Sequence, residues 1–342
     1  MYPVHIVGSG PVTQAMIHLA RRSGFDRLTW DQGPHLQQPP AYTLPANQTR
    51  ILQAILGAQF WESIAHQPDR LQIRLAQSDY LLAELPLGRF YQERYGAPLL
   101  NIEADALHER LQPENLPQAG PSMVSNPSQQ LVIDTSSTEN LQPGLNWQVY
   151  SHFTPGQIER ANISWLSDYA TLFRFSTQAG TWLMLVSAQN AEYSVQPEDW
   201  PAAVRDGVAA MGAPQIWQTY APRVEWLEGH YVYAGQACYP AHPQHRETWL
   251  SGIEDAWVLS RMMENYEDDG VDGWTEYVKY RQPRINKIAA HNDTATTEYL
   301  QRQPGAKLLR NMALAFRTRF LPEIAMQRQD WFHQYDCIRG FH

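Results

Sequence analysis

The chain has 342 residues, 43% hydrophobic and only 18% charged, a composition that excludes intrinsic disorder and suits one large domain or two ordinary ones. Its 26 Lys+Arg against 35 Asp+Glu give −9 at pH 7, a field that repels phosphate backbones and argues against general nucleic-acid binding. Cys238 and Cys337 alone cannot build a disulfide framework or a cysteine zinc site, and no apolar run reaches the roughly 18 residues needed to cross a bilayer.

The N-terminus runs straight into a strand-like segment, Pro3 to Val7, without the basic start and apolar middle of a signal peptide; the expectation is a cytoplasmic protein. Gly8-Ser9-Gly10-Pro11-Val12-Thr13 follows as a tight turn, and Gln14 to Arg22 is a helix with Ala15, Met16, Leu19 and Ala20 on one face. After Gly24, Leu28-Thr29-Trp30 predicts a second strand ending at Asp31. A strand, a glycine turn, a helix and then an acid is the layout of a dinucleotide-binding start. The turn lets backbone N–H groups approach a diphosphate, and the acid holds a ribose hydroxyl. Thr13 stands where the third glycine of G-x-G-x-x-G belongs.

Residues 32–48, with Pro34, Pro39, Pro40 and Pro45, predict a loop, and Thr49 to Gly57 a helix carrying Ile51, Leu52, Ile55 and Leu56. Strand-like segments fill Arg70 to Leu87, Asn101 to Leu111 predicts a short helix, and 112–130 is rich in turn residues. Leu131 to Asp134 is a strand. Val149–Phe153, Ile163–Trp165, Thr171–Phe175 and Trp182–Val186 predict a β-rich region. Helices are expected at Asp199–Met211, Gly252–Glu264 and Trp274–Ala290, with a strand at Tyr231–Ala234. In Lys307 to Phe320 an apolar stripe (Leu308, Met312, Phe316, Phe320) beside Lys307, Arg310, Arg317 and Arg319 either packs on its own domain or meets a membrane surface or protein partner.

These pieces together resemble the flavin-dependent aromatic hydroxylases, and among them the ubiquinone-biosynthesis hydroxylases most closely. The resemblance rests on Val4 to Gly24 with Asp31, on Ala41-Tyr42-Thr43-Leu44, on Arg50 to Gly57 with Phe60-Trp61-Glu62, and on Gly235-Gln236-Ala237 with Gly252-Ile253-Glu254-Asp255-Ala256. Tyr277 and Arg281 resemble the Y-x-x-x-R that follows, and Leu309 to Leu314 with Leu321-Pro322 the C-terminal helix. It implies an α/β fold: a Rossmann-like FAD/NAD(P)-binding domain from 1–70, 90–140 and 228–300, an inserted β-sheet substrate domain from 71–89 and 141–227, and a C-terminal helical segment, 301–342. It also implies FAD as cofactor, NAD(P)H as reductant and a small aromatic or quinone-like substrate. Gly8, Gly10, Pro11 and Asp31 then hold the adenosine diphosphate end and Gly235 and Gln236 the ribityl chain. Trp165, Phe173, Phe175 and Trp182 are candidates for the substrate side, though aromatics of this size fill cores in any fold.

The departures from the family pattern fall on the flavin contacts. Thr13 replaces the turn glycine, Thr135 follows Asp134 where the family has glycine, and Gln236 replaces an acid. Arg246-Glu247-Thr248-Trp249-Leu250 replaces a glycine-rich run beside the flavin ring, putting side chains where backbone approaches the ring. Pro40 and Asn101-Ile102-Glu103 stand where arginines are expected. The alternative is therefore a non-catalytic, flavin-less relic of the fold acting as a binding or partner protein. His242 and His245 lack further metal ligands and predict a surface loop, Cys238 a buried inert thiol, and Glu254 and Asp255 structural acids at a helix start.

Overall fold

A computed structural model describes residues 3–24, 27–34, 37–112, 131–188, 196–265, 270–299 and 322–341, with 305, 309, 311–313 and 315. In chain order the elements are β1 (Val4–Gly8), α1 (Pro11–Arg22), β2 (Leu28–Gln32), β3 (Ala41–Leu44), α2 (Ala46–Leu56), β4 (Ala65–His66), β5 (Arg70–Leu75), β6 (Leu81–Pro86), α3 (Gly88–Tyr95), β7 (Leu100–Glu103) and α4 (Ala104–Leu111). They continue with β8 (Leu131–Asp134), β9 (Pro143–Pro155), β10 (Ala161–Leu166), β11 (Ala170–Ser176), β12 (Gly180–Ala188), α5 (Ala202–Ala209), β13 (Gln215–Tyr220), β14 (Leu227–Glu228) and β15 (Tyr231–Tyr233). The helices α6 (Gly252–Asn265), α7 (Gly270–Tyr299), α8 (Pro322–Gln327) and α9 (Asp330–His333) follow.

The first sheet has the order β14-β15-β8-β1-β2 and is parallel apart from β14. Its interior strand β1 buries Val4 and Ile6 as well as His5, the near-continuous burial of a parallel strand covered on both faces. Helix α1 turns Val12, Ala15, Met16, Leu19 and Ala20 into the same core and packs on α6 and α4.

The second sheet runs β13-β9-β12-β11-β10-β5-β6 and is antiparallel except where β10 lies beside β5. Alternation splits its residues cleanly. Phe175, Met184, Val186, Trp147, Val149 and Trp217 share the core of the first sheet, with Phe173 and Trp182 packed against them. On the opposite face Ile163, Trp165, Leu172, Leu183 and Leu185 pack under Trp200 and under Val204 and Val208 of α5. Trp165, a candidate for the substrate side, therefore faces away from the first sheet and donates its indole N–H to Asp79 at 2.7 Å.

A third sheet, β3-β7-β4, corrects two sequence expectations. Within 32–48, expected as loop, Ala41 to Leu44 pairs antiparallel with Leu100 to Glu103, so the first residues of the expected helix 101–111 are strand and the helix begins at Ala104. The prolines punctuate these elements. Pro39 and Pro40 precede β3, and Pro45 is the N-cap of α2, which begins at Ala46, three residues before the expected start. The turn-rich stretch 112–130 lies outside the described residues apart from Gln112, and so does most of 307–320. Of its apolar stripe only Met312 is described, and it is exposed. Among the described residues no helix is long and apolar enough to cross a membrane.

Candidate functional site

The glycine turn closes β1 onto α1. Gly10, with φ +88°, is the helix N-cap, and Pro11 occupies the first helical position, where no N–H is needed. The two threonines that stand in place of expected glycines meet each other: Thr13 Oγ1 and Thr135 Oγ1 lie 2.7 Å apart, fully buried. Each hydroxyl also has a main-chain acceptor, Ser9 O at 3.1 Å for Thr13 and Val7 O at 3.2 Å for Thr135. The segment after β2 folds back over the turn through Gly33 N–H to Gly8 O and Ser9 Oγ to Pro34 O, and the Gln38 side chain lies over Gly10.

Asp31 sits on β2 opposite Val7, with its carboxylate 3.4 Å from His5 Nε2 and its side chain 37% exposed. Gly235 approaches the same turn from the other side. Ala237 N–H donates to Thr135 O at 3.2 Å, and Gly235 and Gly252 both press on Val12. The structure thus gathers Gly8, Gly10, Pro11 and Gly235 around Thr135 and Val12 and places Asp31 one strand away. Gln236 is half-buried beside Gly235, with no side-chain bond tying it to the turn.

What fixes Gly235 is a buried charge network. Its N–H donates to Asp255 Oδ2 at 2.8 Å, and Asp255 Oδ1 accepts from Arg281 Nε at 2.6 Å. Arg281 Nη1 also donates to Glu254 Oε2 at 2.7 Å, and Glu254 takes further bonds from Arg284 at 3.3 Å and Asn47 at 2.6 Å. Against the desolvation of full burial, Arg284 and Arg281 hold the Glu254 carboxyl below its usual range. Tyr277 O–H donates to Tyr233 O at 3.1 Å, at the end of β15. The Y-x-x-x-R pair on α7 therefore clamps the Gly235 turn, and Glu254 and Asp255 have the structural part expected of them.

Between β3 of the third sheet and the inner face of the second lies Arg246, at the head of a short 3₁₀ turn, Arg246–Thr248. Its guanidinium stacks on Phe175, 3.2 Å from the ring centroid, with Phe173 at 5.8 Å. Nη2 donates to Thr43 Oγ1 at 2.5 Å, and Thr43 continues through Asn101 to Asn162 at 2.9 and 2.8 Å. Trp182 Nε1 donates to Glu103 at 3.0 Å. The Arg246–Leu250 run thus turns its first side chain into the space between the sheets. Trp249 and Leu250 go into the core, Trp249 against Trp217 with 5.6 Å between ring centroids.

Of His242 and His245, expected on a surface loop, the first is buried and the second half-buried. His242 lies edge-on to Trp147 with ring centroids 5.1 Å apart, and His245 Nε2 is 2.8 Å from Thr296 Oγ1. Proline and histidine signalled a loop correctly, but its packing against Trp147 joins residues distant in sequence. Among the described residues no three His, Cys, Asp or Glu side chains form a metal-binding group. Cys238 is fully buried, and burial pushes its thiol well above the usual value, as expected of an inert thiol.

These imidazoles carry a pH dependence. Burial lowers His242 from 6.5 to about 4 and His333 to about 3, and burial with the nearby His242 and His291 takes His245 well below 6.5. As the pH falls through 6.5 the unfolded chain binds protons that the folded chain refuses, so stability present above that value is lost toward pH 4. For His242 alone this is worth about 3 kcal/mol at a shift from 6.5 to about 4. Glu247, pushed up to about 7 by burial, and Asp255, raised by burial, work the other way but are outnumbered. Melting temperatures measured from about pH 7.5 to about pH 4.5 should fall steeply below pH 6.5, and His242→Gln should flatten that slope.

No protein-family model matches the chain. Solved structures do. HpxO of Klebsiella pneumoniae, complexed with FAD and uric acid, is 12% identical with a TM-score of 0.76 over 95% of this chain and 95% of that one. The p-nitrophenol 4-monooxygenase PnpA of Pseudomonas putida DLL-E4 is 14% identical, TM-score 0.75, over 98% of each chain. A salicylate hydroxylase substrate complex is 15% identical, TM-score 0.72, over 98% of this chain and 96% of that one. At these identities the likeness establishes the fold, the one the sequence resemblance implied.

Proposed function

We propose that this chain, built on the fold of the FAD-dependent aromatic hydroxylases, is an FAD-dependent monooxygenase of a small aromatic or quinone-like molecule, with a rebuilt flavin site. The observation that carries this reading is that α1, opened by a glycine turn, shares one core with an aromatic sheet face of Phe173, Phe175 and Trp182. The division into a dinucleotide domain and an inserted β-sheet domain is part of the same proposal.

The donor set fits the coenzyme. Gly8, Gly10 and Pro11, with the following α1 amides, suit the diphosphate, and the part-exposed Asp31 carboxylate suits a ribose. Gly235 and the amide of Gln236 suit the ribityl chain. An amide accepts with about half the strength of a charged carboxylate, so affinity is lower than with the acid. Ser136 Oγ, Gln48 Oε1 and Ser251 Oγ are buried without hydrogen-bond partners among the described residues and open to further bonds. What covers Gly10 is the terminal amide of Gln38, the mobile end of a flexible side chain. Bound FAD, reduced by NAD(P)H, would supply the oxygen activation. The chain's own residues bind, orient and exclude water.

The purified protein should show flavin absorbance or take up added FAD, quenching its tryptophan fluorescence. Gln38→Ala should bind FAD several-fold more tightly by uncovering Gly10. A colourless protein that refuses FAD in both forms would leave only a binding scaffold, and the monooxygenase reading would fail.

A further inference from the structure

Among the described residues, the buried arginines other than Arg246 are either ion-paired or saturated by main-chain carbonyls. Arg281 and Arg284 share Glu254 and Asp255, and Arg50 faces Asp336 at 3.7 Å. Arg223, which has no carboxylate, donates to the carbonyls of Ala237, Ser137 and Glu139 and stacks on Tyr233. Arg246 is 8% exposed, and among the described residues it has no ion pair. Of the five N–H donors of a guanidinium, the one bond it makes is to Thr43, and its Nε is buried without a partner. Glu247, its neighbour in sequence, attracts it electrostatically but makes no ion pair with it, its carboxylate lying 3.7 Å from His333 Nε2.

An unpaired charge in such a place costs several kcal/mol and persists only if something compensates it. Stacking on Phe175 offsets part of the cost, but it leaves the donors unused. The missing element is an anion that presents oxygens to the guanidinium edge. A flat, apolar body beside it would lie along Phe173, as Phe175 already lies along the guanidinium face.

We infer that Arg246 anchors the carboxylate of a small aromatic acid, seated between β3 and the inner face of the second sheet, against Phe173 with Thr43 beside it. That this acid is the substrate rests on the monooxygenase reading, whereas its binding does not. Arg246 then occupies the place of a turn glycine because it recognises charge there.

The experiment is calorimetric titration of the purified protein with benzoate and with its neutral isostere benzamide, for wild type, Arg246→Met and Arg246→Lys. Benzoate should bind wild type at least about tenfold more tightly than benzamide, because only benzoate pairs the charge. Arg246→Met should bring benzoate down to the benzamide level, and Arg246→Lys should fall between. Arg246→Met should melt no lower than wild type, since a buried unpaired charge has gone. Equal affinity of wild type for the two compounds, or undiminished benzoate binding by Arg246→Met, would overturn the assignment. The wild-type comparison decides even if a variant fails to fold. Benzoate binding to protein that refuses FAD would uphold the anion site and sink only the monooxygenase reading.

Discussion

Replacing Arg281 by methionine is expected to cost about 3–5 kcal/mol of folding stability, the largest effect of any single substitution proposed for this protein. Arg281 is fully buried, and the change leaves Glu254 and Asp255 beside each other with Arg284 as their remaining charged partner. Against a total of roughly 5–15 kcal/mol for a folded domain, such a loss drains soluble protein and shifts the urea midpoint sharply downward. Arg281→Lys keeps the charge but not the two-pronged geometry that spans Asp255 through Nε and Glu254 through Nη1, so its midpoint should fall in between. A methionine variant with the wild-type midpoint would show that the network contributes nothing. Because Asp255 also accepts from Gly235 N–H, the same variant should loosen the Gly235 turn, visible as faster amide exchange from residues 234–238.

Gly252→Ala is the second large effect. A Cβ at this first residue of α6 would fall on the backbone at Gly235 Cα and within 3.2 Å of Val12 Cγ1. Neither side yields easily. Gly235 is held at φ +59° by its bond to Asp255, and Val12 is buried in the first turn of α1. Overpacking of this kind costs about 1–3 kcal/mol, and the upper end is expected because the obstacle is main chain. Gly235→Ala adds left-handed strain to a contact of 2.8 Å with the same Val12. Urea unfolding of the double variant should show a loss smaller than the sum of the two, since one displacement of the loop relieves both clashes.

The parts of this fold legible in the sequence are those whose cause is local. A strand ending in a glycine turn and a helix after it announce themselves within the first 22 residues, although the helix opens at Pro11, inside the expected turn, and β-branched and aromatic runs mark β9 to β12. The β3-β7-β4 sheet escaped because its strands are four or fewer residues long and pair with residues far off in sequence, as Thr43 does with Asn101 at a separation of 58. Helix α3 escaped because Gly88 to Tyr95 is charged and aromatic, burying only Tyr91 and Tyr95 with no aliphatic stripe. In the site, the substitutions at Thr13 and Thr135 were each visible, but their contact spans 122 positions, and no local pattern reveals it. The same holds for Arg246: its bulk was evident, whereas its lack of an anionic partner depends on β3 and β11, which come from elsewhere in the chain.

The Thr13–Thr135 contact also bears on how such a chain could arise by stepwise change. Each hydroxyl keeps a carbonyl acceptor of its own, Ser9 O or Val7 O, when the other is removed. A lineage replacing two glycines could therefore acquire either threonine first without stranding a buried hydroxyl, at the expense of a transient void. With both in place, reverting one reopens that void, and history acquires a ratchet.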